Sequence, residues 1–103
     1  MKVKWKRLWI KALRSGKFKQ TERMLHDRKG YCCLGVLCKV MEPNTKWKSN
    51  KEGAYLFEEE QMFPPARIMK EATLRKPSAR VLAKMNDKGK TFKQIAAFIS
   101  KHY

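Results

Sequence analysis

Three cysteines, Cys32, Cys33 and Cys38, stand in one hydrophobic segment a few residues after His26 and Asp27. Two chemistries suit those residue types. A structural zinc site takes about four thiolate or imidazole ligands, arranged as two short Cys or His pairs. Cys32, Cys33, Cys38 and His26 supply the number but not two such pairs, because adjacent cysteines diverge and only Cys33 and Cys38 have a gap of two to four residues. A nucleophilic thiol needs a base within hydrogen-bond reach and a group that orients the base. His26 and Asp27 are of the right type, yet the neighbours Leu34, Val36 and Leu37 raise a thiol's pKa rather than lower it. The expectation is therefore three buried thiols acting as small apolar core residues. No catalytic residue, metal or cofactor is assigned, and the chain is read as non-enzymatic.

The remaining polar clusters carry less. Glu58, Glu59 and Glu60 form a run rather than two positioned carboxylates, and are expected to lie in a solvated loop, or else to hold a basic neighbour or mark a patch that repels nucleic acid. Five glycines are scattered singly, so no phosphate-cradling loop is present. Charge is the dominant feature: 25 Lys and Arg against 9 Asp and Glu over 103 residues make a formal charge of +16. Its placement is uneven. Residues 1–20 contain Lys2, Lys4, Lys6, Arg7, Lys11, Arg14, Lys17 and Lys19 and no acid. Such density is the electrostatic footprint of phosphate binding driven by counterion release.

The candidate contact residues for nucleic acid or an acidic protein are Lys4, Lys6, Arg7, Lys11, Arg14, Lys17 and Lys19, with a second group at Lys46, Trp47, Lys48 and Lys51. Trp5 and Trp9 are expected in the core, whereas Trp47, in a polar stretch, is expected to be free to stack on an unpaired base. Phe92 to Ala96 has the look of the first helix of a helix-turn-helix, but no recognition helix follows it. The basic first helix also has the amphipathicity of a membrane-surface helix. A domain this small needs both tryptophans in its core, so no membrane partner is assigned.

These residues need elements to hold them. Trp5, Leu8, Trp9, Ala12 and Leu13 follow helical spacing and predict a helix over 3–15, ended by Gly16, with Ile10 off the apolar stripe. The regions of Phe18, Met24, Tyr31 and Tyr55 are expected to form a small antiparallel sheet, with a hairpin turn at Asp27-Arg28-Lys29-Gly30. Cys33 to Met41 is apolar nearly all round and predicts a short buried helix. Pro64-Pro65 marks a turn before a single helical turn at Ala66–Met69. Ser78 is expected to cap a helix over 78–87 that turns Val81, Leu82 and Met85 inward. Thr91 caps a last helix over 91–102 with Phe92, Ile95, Ala96, Phe98 and Ile99 inward. The class is α+β, in one domain spanning 1–103. The eleven aromatic residues and 43 % hydrophobic content exceed what a disordered basic tail carries. The longest apolar run, Tyr31 to Cys38, falls well short of the ~20 residues of a spanning helix, and no secretion signal is read. Clustered free thiols suit a reducing cytoplasm.

Three blocks, WIKALRSGKFK from Trp9, YCCLGVLC from Tyr31 and LAKMNDKGKTFKQIAAFI from Leu82, resemble a family of small tailed-phage proteins. In that family a Trp-x-x-Ala-Leu-Arg-Ser-Gly helix end, a Cys-Cys-Leu-Gly-Val-Leu-Cys segment and an Asn-Asp-x-Gly-x-(Ser/Thr)-Phe-x-x-Ile-Ala element occur in that order. The resemblance implies a phage accessory protein acting in the host bacterial cytoplasm. Its partner is either nucleic acid or, if it acts as an effector in host takeover or anti-defence, an acidic host protein. It carries over no catalytic residue, and the sequence assigns no oligomeric state.

Overall fold

A computed structural model describes all of residues 1–103. Five helices and one minimal sheet follow in chain order: α1 (Val3–Arg14), α2 (Cys33–Met41), β1 (Lys48–Ser49), β2 (Tyr55–Leu56), α3 (Ala66–Ala72), α4 (Lys76–Asp87) and α5 (Phe92–His102). This is the α+β class expected, built around one core cluster of 21 buried residues. Helix α1 packs on both α2 and α5, while α2 also packs on α4. No helix is long and apolar enough to cross a membrane.

Helix α1 ends at Gly16, whose φ of +75° turns the chain out of the helix. Only Trp9 and Leu13 of its stripe are fully buried, and Leu8, expected inward, is 40 % exposed. Because α1 has neighbours on two sides, Ile10 is partly covered beside α5 while Leu8 sits at the open edge beside α2. The Trp9 indole reaches across to donate from Nε1 to the Cys33 carbonyl at 2.8 Å. That bond satisfies the indole in the core and joins α1 to the first turn of α2.

The sheet is smaller than expected and partly made of other residues. Tyr55 and Leu56 pair antiparallel with Ser49 and Lys48, which belong to the polar stretch around Trp47. The Phe18, Met24 and Tyr31 regions form no strand. They contribute single bridges, Gln20 with Tyr31 in parallel and His26 with Tyr31 in antiparallel sense. Arg23 has φ +70°, so the segment bends before pairing can extend beyond one residue. The turn at Asp27–Gly30 is present, closed by Asp27 N–H donating to the Gly30 carbonyl at 2.9 Å.

Helix α3 runs a full turn beyond the expected Ala66–Met69 and stops at Thr73 in the left-handed region. Helix α4 starts earlier than expected. Arg75, not Ser78, is its N-cap, because Pro77 supplies the helical φ of the first turn. Its inward stripe is Ala79, Leu82 and Asn86, and Val81, expected inside, is 43 % exposed. The helix ends in a Schellman arrangement: Lys90 N–H donates to the Met85 carbonyl and Gly89 N–H, at φ +91°, to that of Asn86. Thr91 then starts α5 with a reciprocal capping box, its hydroxyl accepting from Gln94 N–H while the Gln94 side chain accepts from Thr91 N–H. Phe92, Ile95, Ala96 and Ile99 are buried as expected. Phe98 is only partly covered and lies against the His102 and Tyr103 rings.

Candidate nucleic-acid interface

The outer face of α1 follows from its inner one. With Trp9 and Leu13 turned to the core, residues at helical spacing on the opposite side are Lys4, Arg7, Lys11 and Arg14, separated by three, four and three positions. All four are exposed. At 1.5 Å per residue the stripe is about 15 Å long, the length of roughly four nucleotide steps of a duplex. Arg7, Lys11 and Arg14, joined by Lys17 from beyond the helix and by Ser100 of α5, line an open groove of about 620 Å³.

Carboxylates are absent from that groove, and few of the protein's cations pair with one elsewhere. Of the 25 Lys and Arg, only Arg67 and Lys48 come within ion-pair distance of a carboxylate. Arg67 is clamped between Glu42, at 2.6 Å from Nη1, and Glu58. Its guanidinium holds the Glu42 carboxyl below the usual carboxylate range. Glu59 lies 3.7 Å from Lys48. Glu58 and Glu59 thus hold basic neighbours while all three carboxylates of the run stay exposed, and the α1 cations are left without carboxylate partners.

The structure brings together some of the expected contact residues and separates others. Arg7, Lys11, Arg14 and Lys17 share the groove. Lys4 lies on the same stripe, with Nζ 4.6 Å from the centroid of the Trp5 ring, an exposed cation–π contact. Lys6 falls on the side of α1 and is partly covered, and Lys19 is exposed in the segment whose backbone carbonyl accepts from Tyr31 N–H. Lys46, Lys48 and Lys51 sit on the β1–β2 hairpin and line neither groove bordered by α1. Trp47 does not stand free: its ring makes edge contacts with His26, Tyr31 and Phe57 at centroid distances of 5.0–5.8 Å. Its indole N–H is buried without a hydrogen-bond partner. Lys39, absent from the expected set, borders the α1–α2 groove. Its signal was present in the sequence, as the only charged residue between Cys33 and Met41.

The thiols are where the hydrophobic reading puts them. Cys32, Cys33 and Cys38 are all buried and unpaired with one another. Burial pushes the Cys32 thiol up to about 11 and raises Cys33 and Cys38 still more strongly. Cys33 Sγ donates to the Leu82 carbonyl at 3.6 Å, while His26 Nδ1–H donates to the Gly30 carbonyl at 2.6 Å and the ring stacks on Tyr31 at 3.8 Å. Desolvation lowers the His26 pKa, so the imidazole is held neutral. No Cys–His hydrogen bond forms, and no three His, Cys, Asp or Glu side chains converge in a metal-holding group. The expected result with a disulfide exchange reagent at pH 8 is negligible labelling of the native protein and three equivalents in guanidinium. One fast-reacting thiol in the native state would contradict the burial.

Sequence reading missed the polar staple that positions all of this. Asn86 is fully buried. Its Oδ1 accepts from Cys33 N–H at 3.1 Å and Gln20 Nε2–H at 3.0 Å, and its Nδ2 donates to the Thr21 carbonyl at 2.7 Å. Asp87 next to it accepts from Arg23 N–H at 2.8 Å. The Asn-Asp pair therefore ties α4, the start of α2 and the 20–23 segment together, a scaffold role for motif residues that resemblance alone left unassigned.

Fold and groove define a small α+β domain with an unpaired cationic face. A family model described as Domain of unknown function (DUF8296) matches residues 1–103, and the chain belongs to that family. No curated protein and no solved structure matches it.

Proposed function

We propose that this protein binds nucleic acid without catalysing a reaction on it, through phosphate contacts from the outer face of α1. The observation that carries the reading is the acid-free stripe of Lys4, Arg7, Lys11 and Arg14, extended by Lys17 along an open groove, in a chain where 9 carboxylates face 25 cations. Unpaired cations at this density gain little from the protein itself. Phosphates that replace condensed counterions give them a partner, with release of those counterions as the driving force. The likeness of its motif blocks to small tailed-phage proteins supports a phage accessory role in the host cytoplasm.

Salt dependence tests the reading. If about five cations each neutralise a phosphate, affinity for a fluorescent 20-mer falls about 100-fold for a single strand and 500-fold for a duplex between 50 and 200 mM salt. The triple variant R7E/K11E/R14E abolishes binding at 50 mM salt and leaves the melting temperature within a few degrees, because all three side chains lie in solvent. Absent or salt-insensitive binding by the native protein overturns the proposal. Equal affinity for a polyglutamate chain does so too, since an acidic protein surface is then an adequate ligand.

A further inference from the structure

A second groove, of about 330 Å³, adjoins the cationic one and shares Lys11, Ser15 and Lys17 with it. Its character is different. Leu8 of α1, Phe18, Val40 of α2 and Pro43 supply apolar walls, and Lys11, Lys17 and Lys39 stand around them with no acid among the lining residues. Lys39 is pinned at the rim, its Nζ donating to the Pro43 carbonyl at 2.8 Å. Phe18 is braced from behind by an edge contact with Tyr31 at 5.3 Å. Ser15 holds the intervening turn, accepting from Lys17 N–H at 3.1 Å and donating to the Ala12 carbonyl at 2.7 Å. The two grooves therefore form one surface: a run of cations with Ile10 as its one apolar lining residue, then an apolar notch ringed by three lysines.

We infer that the preferred ligand is single-stranded nucleic acid, with phosphates along Arg7, Lys11 and Arg14 and one unpaired base seated in the notch between Phe18 and Pro43. This inference rests on the phosphate-binding reading above and narrows its ligand class. A purely phosphate-directed surface has no use for a 330 Å³ apolar recess beside its cations, whereas a nucleotide presents an anionic group and a flat apolar face within a few ångströms of each other. In a duplex that face is covered by stacking and cannot enter. Base stacking on an aromatic ring tolerates every base, so little sequence preference is expected.

The test is a pair of titrations, a single-stranded 20-mer and its duplex, at one salt concentration low enough for both to bind, run on the native protein, Phe18→Leu, Phe18→Trp and Leu8→Glu. The native protein binds the single strand about tenfold more tightly. Phe18→Leu, which keeps an apolar side chain against Tyr31 but removes the stacking face, loses about tenfold on the single strand and under twofold on the duplex. Phe18→Trp retains the preference. Leu8→Glu, at a position already 40 % exposed, puts a carboxylate at the notch and removes the preference without unfolding the chain. Equal affinity of the native protein for both forms, or an unchanged preference in Phe18→Leu and Leu8→Glu, overturns the inference and leaves phosphate binding standing. Failure to bind either form overturns both. Tighter binding of an acidic, leucine-containing peptide than of the single strand also overturns both, and assigns the notch to a protein ligand.

Discussion

Asn86→Ala is expected to lose about 3–5 kcal/mol of stability, enough to unfold a domain of this size in part at 37 °C. The side chain makes three hydrogen bonds and is inaccessible to solvent. Its removal strands Cys33 N–H and the Thr21 carbonyl in an interior where each unsatisfied group costs about 1–3 kcal/mol, and leaves a small void besides. Asn86→Asp is the informative companion. It keeps the two acceptor contacts, but turns the donor facing the Thr21 carbonyl into an oxygen and places a charge in the core, so it should be no better than alanine. Urea denaturation of both variants measures this. A loss under 1 kcal/mol for Asn86→Ala would mean that water replaces the amide, and that the staple does not hold the 20–23 segment.

Gly35→Ala is expected to be as damaging, although it places the best helix former within a helix. In isolation the change should stabilise α2 by about 1 kcal/mol. Here the added Cβ would lie 1.8 Å from the Leu25 carbonyl oxygen and 2.7 Å from its carbon. That backbone cannot withdraw cheaply. The Leu25 carbonyl accepts from Cys32 N–H at 3.0 Å, its N–H donates to the Gln61 carbonyl at 2.8 Å, and its side chain is fully buried. Moving it breaks both bonds and opens the core between α2 and the 24–27 segment, a loss well beyond the propensity gain. Poor soluble expression, or a melting temperature lower by at least 15 °C, is expected. A variant that melts at or above the native temperature would show that α2 and Leu25 are not in contact as described.

These two residues also mark how far the sequence could be read. Gly35 and Asn86 both lie in the motif blocks, and sequence alone assigns each only a local role. A glycine in an apolar helix reads as a packing position, but which backbone approaches it depends on Leu25, ten residues away. An asparagine near a helix end reads as a terminator, and its burial depends on Cys33 and Thr21, more than fifty residues distant. Local signals were sufficient elsewhere. The 3.6-residue periodicity marked α1 and α5, the Thr91 cap and Gly16 located ends, and the apolar run marked α2, because each rests on neighbours within one or two turns. Val81 and Leu8 were misplaced for the complementary reason: an apolar residue beside the buried stripe is covered only if another element arrives there.

The charge divides in the same way. Composition and order alone determined that this is a folded, strongly basic α+β chain whose first twenty residues carry no acid, since those are properties of residue type and periodicity. Only the tertiary structure decided which cations work together. It gathered Arg7, Lys11, Arg14 and Lys17 along one groove, occupied Arg67 with Glu42 and Glu58, packed Trp47 among aromatic rings and brought Lys39 beside Phe18. Each of these depends on contacts between segments far apart in sequence, which a formal charge of +16 contains no information about.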